Sequence, residues 1–478
     1  MLGATTQPCP HTLQREGSPL NLHQIHGFTR CAVGVAVRDV TPPVGIYARS
    51  WGAARHDVAE GVHRPLTATT AALRPASGDG PELVIVALDI GWFPYRLDEQ
   101  RIRGAILEAT GLTEPALLIN MSHTHGGANV NTRLTDKPGG DLVAPYLERL
   151  VAEIVGAIAE ARERATPAWI TYGYGRCALA ANRDYWAADL GRYVCGYNPA
   201  APADDTLLVA RVTTDAGATM ATIVNYACHP TTLAWQNRLL SPDYIGATRE
   251  VLEGAYGAPC LFLYGAAGEL GPREGFVGDP AVADRNGRIL GYASAAAIEA
   301  LPPPATRFVY TGVVASGANL ATWAYRPLDP AAQARCARLE ATLTHVPLRR
   351  KAVLTPVDPP GADGGDPGAE AEKAMRRAFI QAALGDDPVY AMALWAWRLG
   401  DALLVACPNE AYSQMQTELR ARFPHNPVLV LGCTNGTVGY LPPRDRYGSG
   451  LYQEQQSPFA PGCLEQTIEA AALAMEAL

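Results

Sequence analysis

Two residue types suited to metal or proton chemistry recur at the ends of apolar runs. Ser122-His123-Thr124-His125 follows PALLINM, His229 follows ATIVNYAC and precedes Pro230, and Glu410 follows LLVACPN. Histidines two apart at a strand end project to one side, and imidazole is both the commonest metal ligand and a proton carrier near neutral pH. A carboxylate directly after a hydrophobic strand needs a partner to offset desolvation. Each signal alone also has a structural explanation, since histidines cap strands, bond loop carbonyls and sit satisfied in cores. Taken together, two neutral imidazoles and one carboxylate make a catalytic zinc set with a position left open for water or a fourth protein ligand. Zinc held this way lowers the pKa of a water it binds and polarises a carbonyl, which is hydrolytic chemistry.

The elements that must position these groups read as strands ending in polar loops. CAVGVAVRDVTPP, ELVIVALDIGWF, AWITYGYGRCALA, DDTLLVARVTT, CLFLYGAAGELGP, YAMALWAWRLGDALLVACPNE and NPVLVLGCTNGTVGYLPP carry apolar or alternating runs that stop at Gly, Pro or Asn. Helical spacing appears in LDEQRIRGAILEATG, APYLERLVAEIVGAIAEARERA and LEQTIEAAALAMEAL. The expected class is α/β, with mixed β-sheets flanked by α-helices and the site on the loops after several strands. A single domain is expected over 31–478, preceded by a disordered tail over 1–30. Between 329 and 387 the composition shifts, and PVDPPGADGGDPGAEAEKAMRRAF predicts a mobile surface insertion, either a lid or a disordered loop.

Composition narrows the function classes. The chain has 478 residues, 48% hydrophobic and 18% charged, enough to bury a large core, and its net charge of -8 offers no basic field for nucleic acid or anionic lipid. No run approaches the roughly 18 apolar residues of a membrane span, so no membrane anchor is expected. The first residues lack the apolar stretch of a secretory signal, and the expected location is cytoplasmic. Ten cysteines are scattered singly, which suits buried, reduced thiols rather than a disulfide frame or a cysteine zinc knot.

The ordered segments GVAVRDVTPP, SHTHGG, LAANRDYW, DDTLLVARV, NYACHPTTL with SPDYIGA, GAAGELGP, RLGDALLVACPNE and TNGTVGYLPPRDRYGSGLYQ resemble the catalytic domain of the neutral ceramidases and the bacterial proteins similar to them. The resemblance runs along nearly the whole chain after residue 31. It implies one zinc per chain, held by His123, His229, Glu410 and Tyr440. It also implies that His125, Arg183 and Tyr452 line the active site, with Tyr447 at a fitting spacing. Without it, Arg183 reads equally as a surface ion-pair residue, and Tyr440 and Tyr452 as core packing. The chain departs from the family where a Gly-Asp-x-Ser-Pro turn is expected: it reads Gly268-Glu269-Leu270-Gly271-Pro272, and Gly271 has no side chain to contribute.

The expected activity is zinc-dependent hydrolysis of an amide or ester in a small polar substrate, at a carbon–nitrogen bond other than a peptide bond. His125 shuttles protons, Tyr452 and Arg183 bind the oxyanion or a substrate carboxylate, and Glu269 acts as a second general base. Two alternatives stand: the same metal site performing lactone opening, elimination or glycosidic cleavage, and a non-catalytic binding protein in which Gly271 marks a degenerate site. A small molecule is the expected partner, and homo-oligomerisation is left open.

Overall fold

The computed structural model describes residues 25–76, 78, 80–351 and 367–478. Most of the expected tail and the Pro-, Gly- and Asp-rich part of the insertion lie outside the described residues.

Eight strands form one large mixed sheet: β1 (Gly27–Asp39), β2 (Thr67–Pro75), β3 (Leu83–Leu88), β4 (Leu117–Met121), β5 (Thr166–Arg176), β6 (Thr206–Thr214), β7 (Thr219–Tyr226) and β8 (Cys260–Tyr264). Their spatial order is β8-β7-β6-β5-β1-β2-β3-β4. The β3–β4 and β7–β8 pairs are parallel, and the other neighbours antiparallel. A second sheet has the order β9 (Leu339–Arg349), β10 (Val389–Leu399), β11 (Ala402–Ala406), β12 (Val428–Leu431).

Side-chain alternation shows how the layers stack. In β3, Val84, Val86 and Leu88 pack with Ile106 of helix α1 (Arg96–Thr110) and with Leu150 and Ile154 of α2 (Val143–Glu163). Leu83, Ile85 and Ala87 face the other way and join Trp395, Trp397 and Leu404 of the second sheet. The far face of that sheet, with Leu394, Leu403, Val405 and Val430, packs on Met415 and Leu419 of α3 (Gln414–Arg422) and Leu464 and Ile468 of α4 (Cys463–Glu476). The result is four layers: helices, large sheet, small sheet, helices. It agrees with the expected α/β class of mixed sheets and flanking helices, and the near-continuous apolar strands reflect burial on both faces. Contact between layers is close: a Cβ on Gly34 of β1 would lie 1.8 Å from the Ala161 carbonyl of α2.

Two expected boundaries are corrected. The first strand begins at Gly27, inside the expected tail, because Gly27–Val33 pair with β5. Within the 329–387 insertion, the described residues on either side of 352–366 include regular elements. Asp329 caps a short helix, Pro330–Cys336, and β9 pairs with β10 from Leu339↔Leu399 to Arg349↔Val389. Its strand was hidden because β9 is a half-exposed edge whose Glu340, Thr342, Thr344 and His345 dilute the apolar signal.

Candidate functional site

The strands that carry the predicted ligands end together. His123 lies just past β4, His229 past β7 and Glu410 past β11, while Tyr440–Leu441 pairs in parallel with Glu410–Ala411, so that Glu410 and Tyr440 are register partners. Buried amides lock these ends to one another. Asn120 of β4 donates to Gly432 O at 2.8 Å and to Thr434 Oγ1 at 2.9 Å, and accepts from Tyr264 N at 2.7 Å. Asn225 of β7 donates to Leu263 O at 3.0 Å and Val430 O at 3.1 Å. Because an unsatisfied buried amide is costly, such networks fix the relative position of both sheets.

His123 and His229 present their Nε2 atoms to one point. His123 Nδ1 lies 3.1 Å from Gly91 O, and His229 Nδ1 lies 2.8 Å from Ala267 O. A carbonyl only accepts, so each Nδ1 carries the proton and each Nε2 keeps its lone pair. Those Nε2 atoms lie 3.3 and 3.0 Å from Glu410 Oε2, and Tyr440 Oη is 3.4 Å from His229 Nε2. His123 adopts a left-handed backbone conformation, φ 64°, a strain that the surrounding packing holds in place. This corrects how the His-x-His pair faces inward: a turn, rather than strand alternation, brings His125 beside His123, with ring centroids 5.2 Å apart.

Burial keeps the His229 and His125 imidazoles neutral. Burial, reinforced by Arg183, pushes His229 down to about 3, and burial with His123 and His229 lowers His125 well below its usual value. Burial alone would raise the Glu410 carboxyl, whereas a proton on His123 or His229 Nε2 would hold it well below the ordinary carboxylate range.

The residues present fit a metal ion. His123, His125 and His229 offer ring nitrogens within 4.8 Å of one another, and both nitrogens of His125 are buried without a hydrogen-bond partner. The separations of 3.0 and 3.3 Å between Glu410 Oε2 and the two Nε2 atoms match the about 3.3 Å between tetrahedral ligands at roughly 2.0–2.1 Å from one ion. Nitrogen and carboxylate donors of this kind suit zinc.

Two cavities meet at this cluster. One runs between His123, His125 and Glu410 and an apolar wall of Trp92, Phe93, Phe379 and Ile380. The other is lined by Trp51, Trp235, Phe276, Thr231 and Arg183. His125, Arg376, Tyr440, Tyr452 and Gln456 border both.

Of the other predicted residues, Arg183 and Tyr452 come into the site. Arg183 donates from Nη2 to Gly268 O at 2.7 Å and to Tyr440 Oη at 3.1 Å, and the Tyr452 ring lies edge-on to Tyr440 with centroids 5.8 Å apart. Glu269 and Tyr447 do not line either cavity. The Glu269 carboxylate accepts from Ser413 N at 2.9 Å and also bonds Ser413 Oγ. The Tyr447 hydroxyl sits 3.3 Å from Ser457 Oγ, and Lys351 Nζ lies over its ring.

Arg376 and Thr231 are site residues that the sequence reading missed. Arg376 sits on a helix, Pro367–Leu384, within the expected insertion, donates to Tyr452 Oη at 3.0 Å and stacks over Trp92 at 5.3 Å. The signal available was the helical spacing of Met375, Phe379 and Ile380 next to two arginines. Thr231 has a buried hydroxyl without a partner, in the second cavity. At Gly271 a Cβ would meet Arg183 Cδ at 3.6 Å and Thr231 Oγ1 at 3.7 Å, so the cradle accepts a small side chain that this chain lacks.

The fold has solved relatives. A ceramidase complexed with C2 superposes with a TM-score of 0.65 at 16% identity, covering 95% of this chain and 76% of that one. The neutral ceramidase from Pseudomonas aeruginosa gives 0.64 at 17% identity, covering 95% and 75%. No curated protein sequence matches. Residues 31–260, which carry His123, His125, Arg183 and His229, match the family described as neutral/alkaline non-lysosomal ceramidase, N-terminal. That segment, just under half of the chain, is what is similar to the neutral/alkaline non-lysosomal ceramidase family, and over the chain as a whole the likeness to the two solved ceramidases is one of fold.

Proposed function

We propose that the protein is a zinc-dependent amide hydrolase acting on a small molecule with an apolar arm. The observation that carries this reading is the convergence of His123 Nε2 and His229 Nε2 on Glu410 Oε2, each imidazole oriented by its own Nδ1–carbonyl bond. His123, His229 and Glu410 would hold the ion, with Tyr440 as the fourth ligand. When bound, zinc supplies Lewis acidity for a carbonyl and makes water nucleophilic at neutral pH.

The chain's own residues do the rest. His125, neutral and with both ring nitrogens unbonded, is placed to take a proton from water and return it to the leaving amine. Arg183 holds the Tyr440 hydroxyl in position through its 3.1 Å bond. Tyr452, oriented by Arg376, presents its hydroxyl toward the negative charge that develops on a carbonyl oxygen. Glu269 is a positioning residue, because its carboxylate is occupied by Ser413. The apolar wall of Trp92, Phe93, Phe379 and Ile380 favours an amide with an apolar acyl group over the wholly polar substrate expected from sequence. The nine cysteines of the described residues are all unpaired, which supports placing the protein in a reducing compartment such as the cytoplasm.

Incubation with N-acyl amides of short and long acyl chains, with esters, lactones and glycosides alongside, tests the assignment. The expected result is chelator-sensitive amide cleavage that improves with acyl length. Turnover of lactones or glycosides alone would replace the amide reading, and binding of amides without turnover would make the protein a receptor.

A further inference from the structure

The hairpin of strands Thr306–Ser316 and Ala318–Pro327 stands apart from both sheets, its strands pairing, among the described residues, only with each other. No residue from Thr306 to Pro327 is buried, and the sequence from Phe308 to Tyr325, FVYTGVVASGANLATWAY, contains no charged side chain. Phe308, Tyr310, Trp323 and Tyr325 form a cross-strand aromatic ladder with ring centroids 4.9 to 5.8 Å apart, each at least 45% exposed. Val313, Val314 and Leu320, exposed by 58%, 51% and 49%, carry apolar surface toward the tip.

Such a feature is costly to leave in water. A lone two-stranded hairpin is marginally stable, soluble proteins blunt free strand edges with charge or proline, and a contiguous apolar patch of this size marks a contact surface.

We propose that this hairpin is a dimerisation arm that pairs with the same hairpin of a second copy of the chain about a two-fold axis. Three observations select that occupant. First, no other strand among the described residues pairs with either edge of the hairpin, and a strand from a second copy satisfies the backbone groups of one edge whereas a lipid surface does not. Second, an uncharged hairpin meets its own copy without like-charge repulsion, while a net charge of -8 with only Arg307 and Arg326 flanking the arm disfavours an anionic membrane. Third, the seven exposed side chains offer on the order of 600–800 Å² per copy, near the about 800 Å² per partner of a standard interface. An isologous contact of this kind closes at two copies and leaves no free aromatic ladder.

Light scattering during gel filtration of the full chain, at micromolar concentration and after tenfold dilution, tests the proposal. The wild type is expected to run as a dimer, and a Val313→Lys/Leu320→Lys/Trp323→Lys variant as a monomer, its dimer at least about 100-fold weaker. Its far-ultraviolet circular dichroism, melting transition and zinc content are expected to match the wild type. A second variant replaces 306–327 by a short Gly-Ser turn, since Leu328 N already bonds Ala305 O at 2.8 Å across the hairpin base, and it too is expected to be monomeric. A monomeric wild type, a dimer that survives both changes, or a wild-type monomer that co-floats with phosphatidylglycerol vesicles would overturn the proposal.

Discussion

At the scale of single residues, His123, His229 and Glu410 share one environment: each follows a buried strand, and each is fully partnered by a backbone carbonyl or by another member of the set. Replacing His123 or His229 by alanine is expected to abolish stoichiometric zinc while leaving far-ultraviolet circular dichroism unchanged, as read by elemental analysis; zinc retained in both variants would contradict the ligand set. His125 separates ligand from proton carrier. His125→Gln is expected to keep the metal and lower kcat by about 10²- to 10⁴-fold, whereas loss of metal would make His125 a ligand.

Glu269 bears on pH at the same scale. Burial, opposed by the Ser413 bonds, raises its carboxyl from 4.5 to about 7. The folded state therefore holds a proton that the unfolded chain has released, and the stability present below pH 4.5 is lost as the pH rises through 7. Between pH 4.5 and 8 the wild type is expected to lose up to about 3 kcal/mol relative to Glu269→Gln in urea unfolding. Parallel pH profiles for the two proteins would contradict the shift. The three proposed ligands were legible as candidates because polar groups at the ends of apolar strands are chemically conspicuous. Tyr440 was legible only through the family resemblance, since a tyrosine after a strand reads equally as core. Arg376 escaped because the composition before it points to loop, while its role depends on where the helix lands.

At the scale of elements, β10 joins the layers. It pairs with β9 and β11, and Trp397 sits fully buried between the sheets with Nε1 donating to Pro115 O at 2.7 Å. Trp397→Ala removes that volume and leaves a carbonyl without its donor, so a loss of about 3–5 kcal/mol is expected in denaturant unfolding; a change below about 1 kcal/mol would mean that the sheets do not depend on this contact. Long apolar or amphipathic elements such as β3, α2 and the C-terminal helix were readable because period and burial coincide. The edge strand β9 was not, because half of its side chains face solvent and the pattern fades. The helix Pro367–Leu384 shows the same limit: its apolar side meets the cavity through Phe379 and Ile380, yet nothing local says which surface it covers.

At the scale of the molecule, the two sheets and their outer helices serve to bring strand ends that are far apart in sequence to a single point. His123 and Glu410 are 287 positions apart by subtraction of their numbers, and their side chains approach to 3.3 Å. The α/β class was visible in the order of elements, but the four-layer stacking was not, because it depends on which face of each strand meets which layer. The two solved ceramidases share this architecture, and in this chain the pocket is bordered by Arg376, which donates to Tyr452 Oη, with open space at Gly271 beside Arg183 and Thr231. The most direct test is zinc content measured with N-acyl amide hydrolysis on the same sample, before chelation, after it, and after zinc is restored. The account predicts close to one zinc per chain, with activity lost on removal and recovered on addition. Amide hydrolysis undiminished in fully metal-free protein would contradict it.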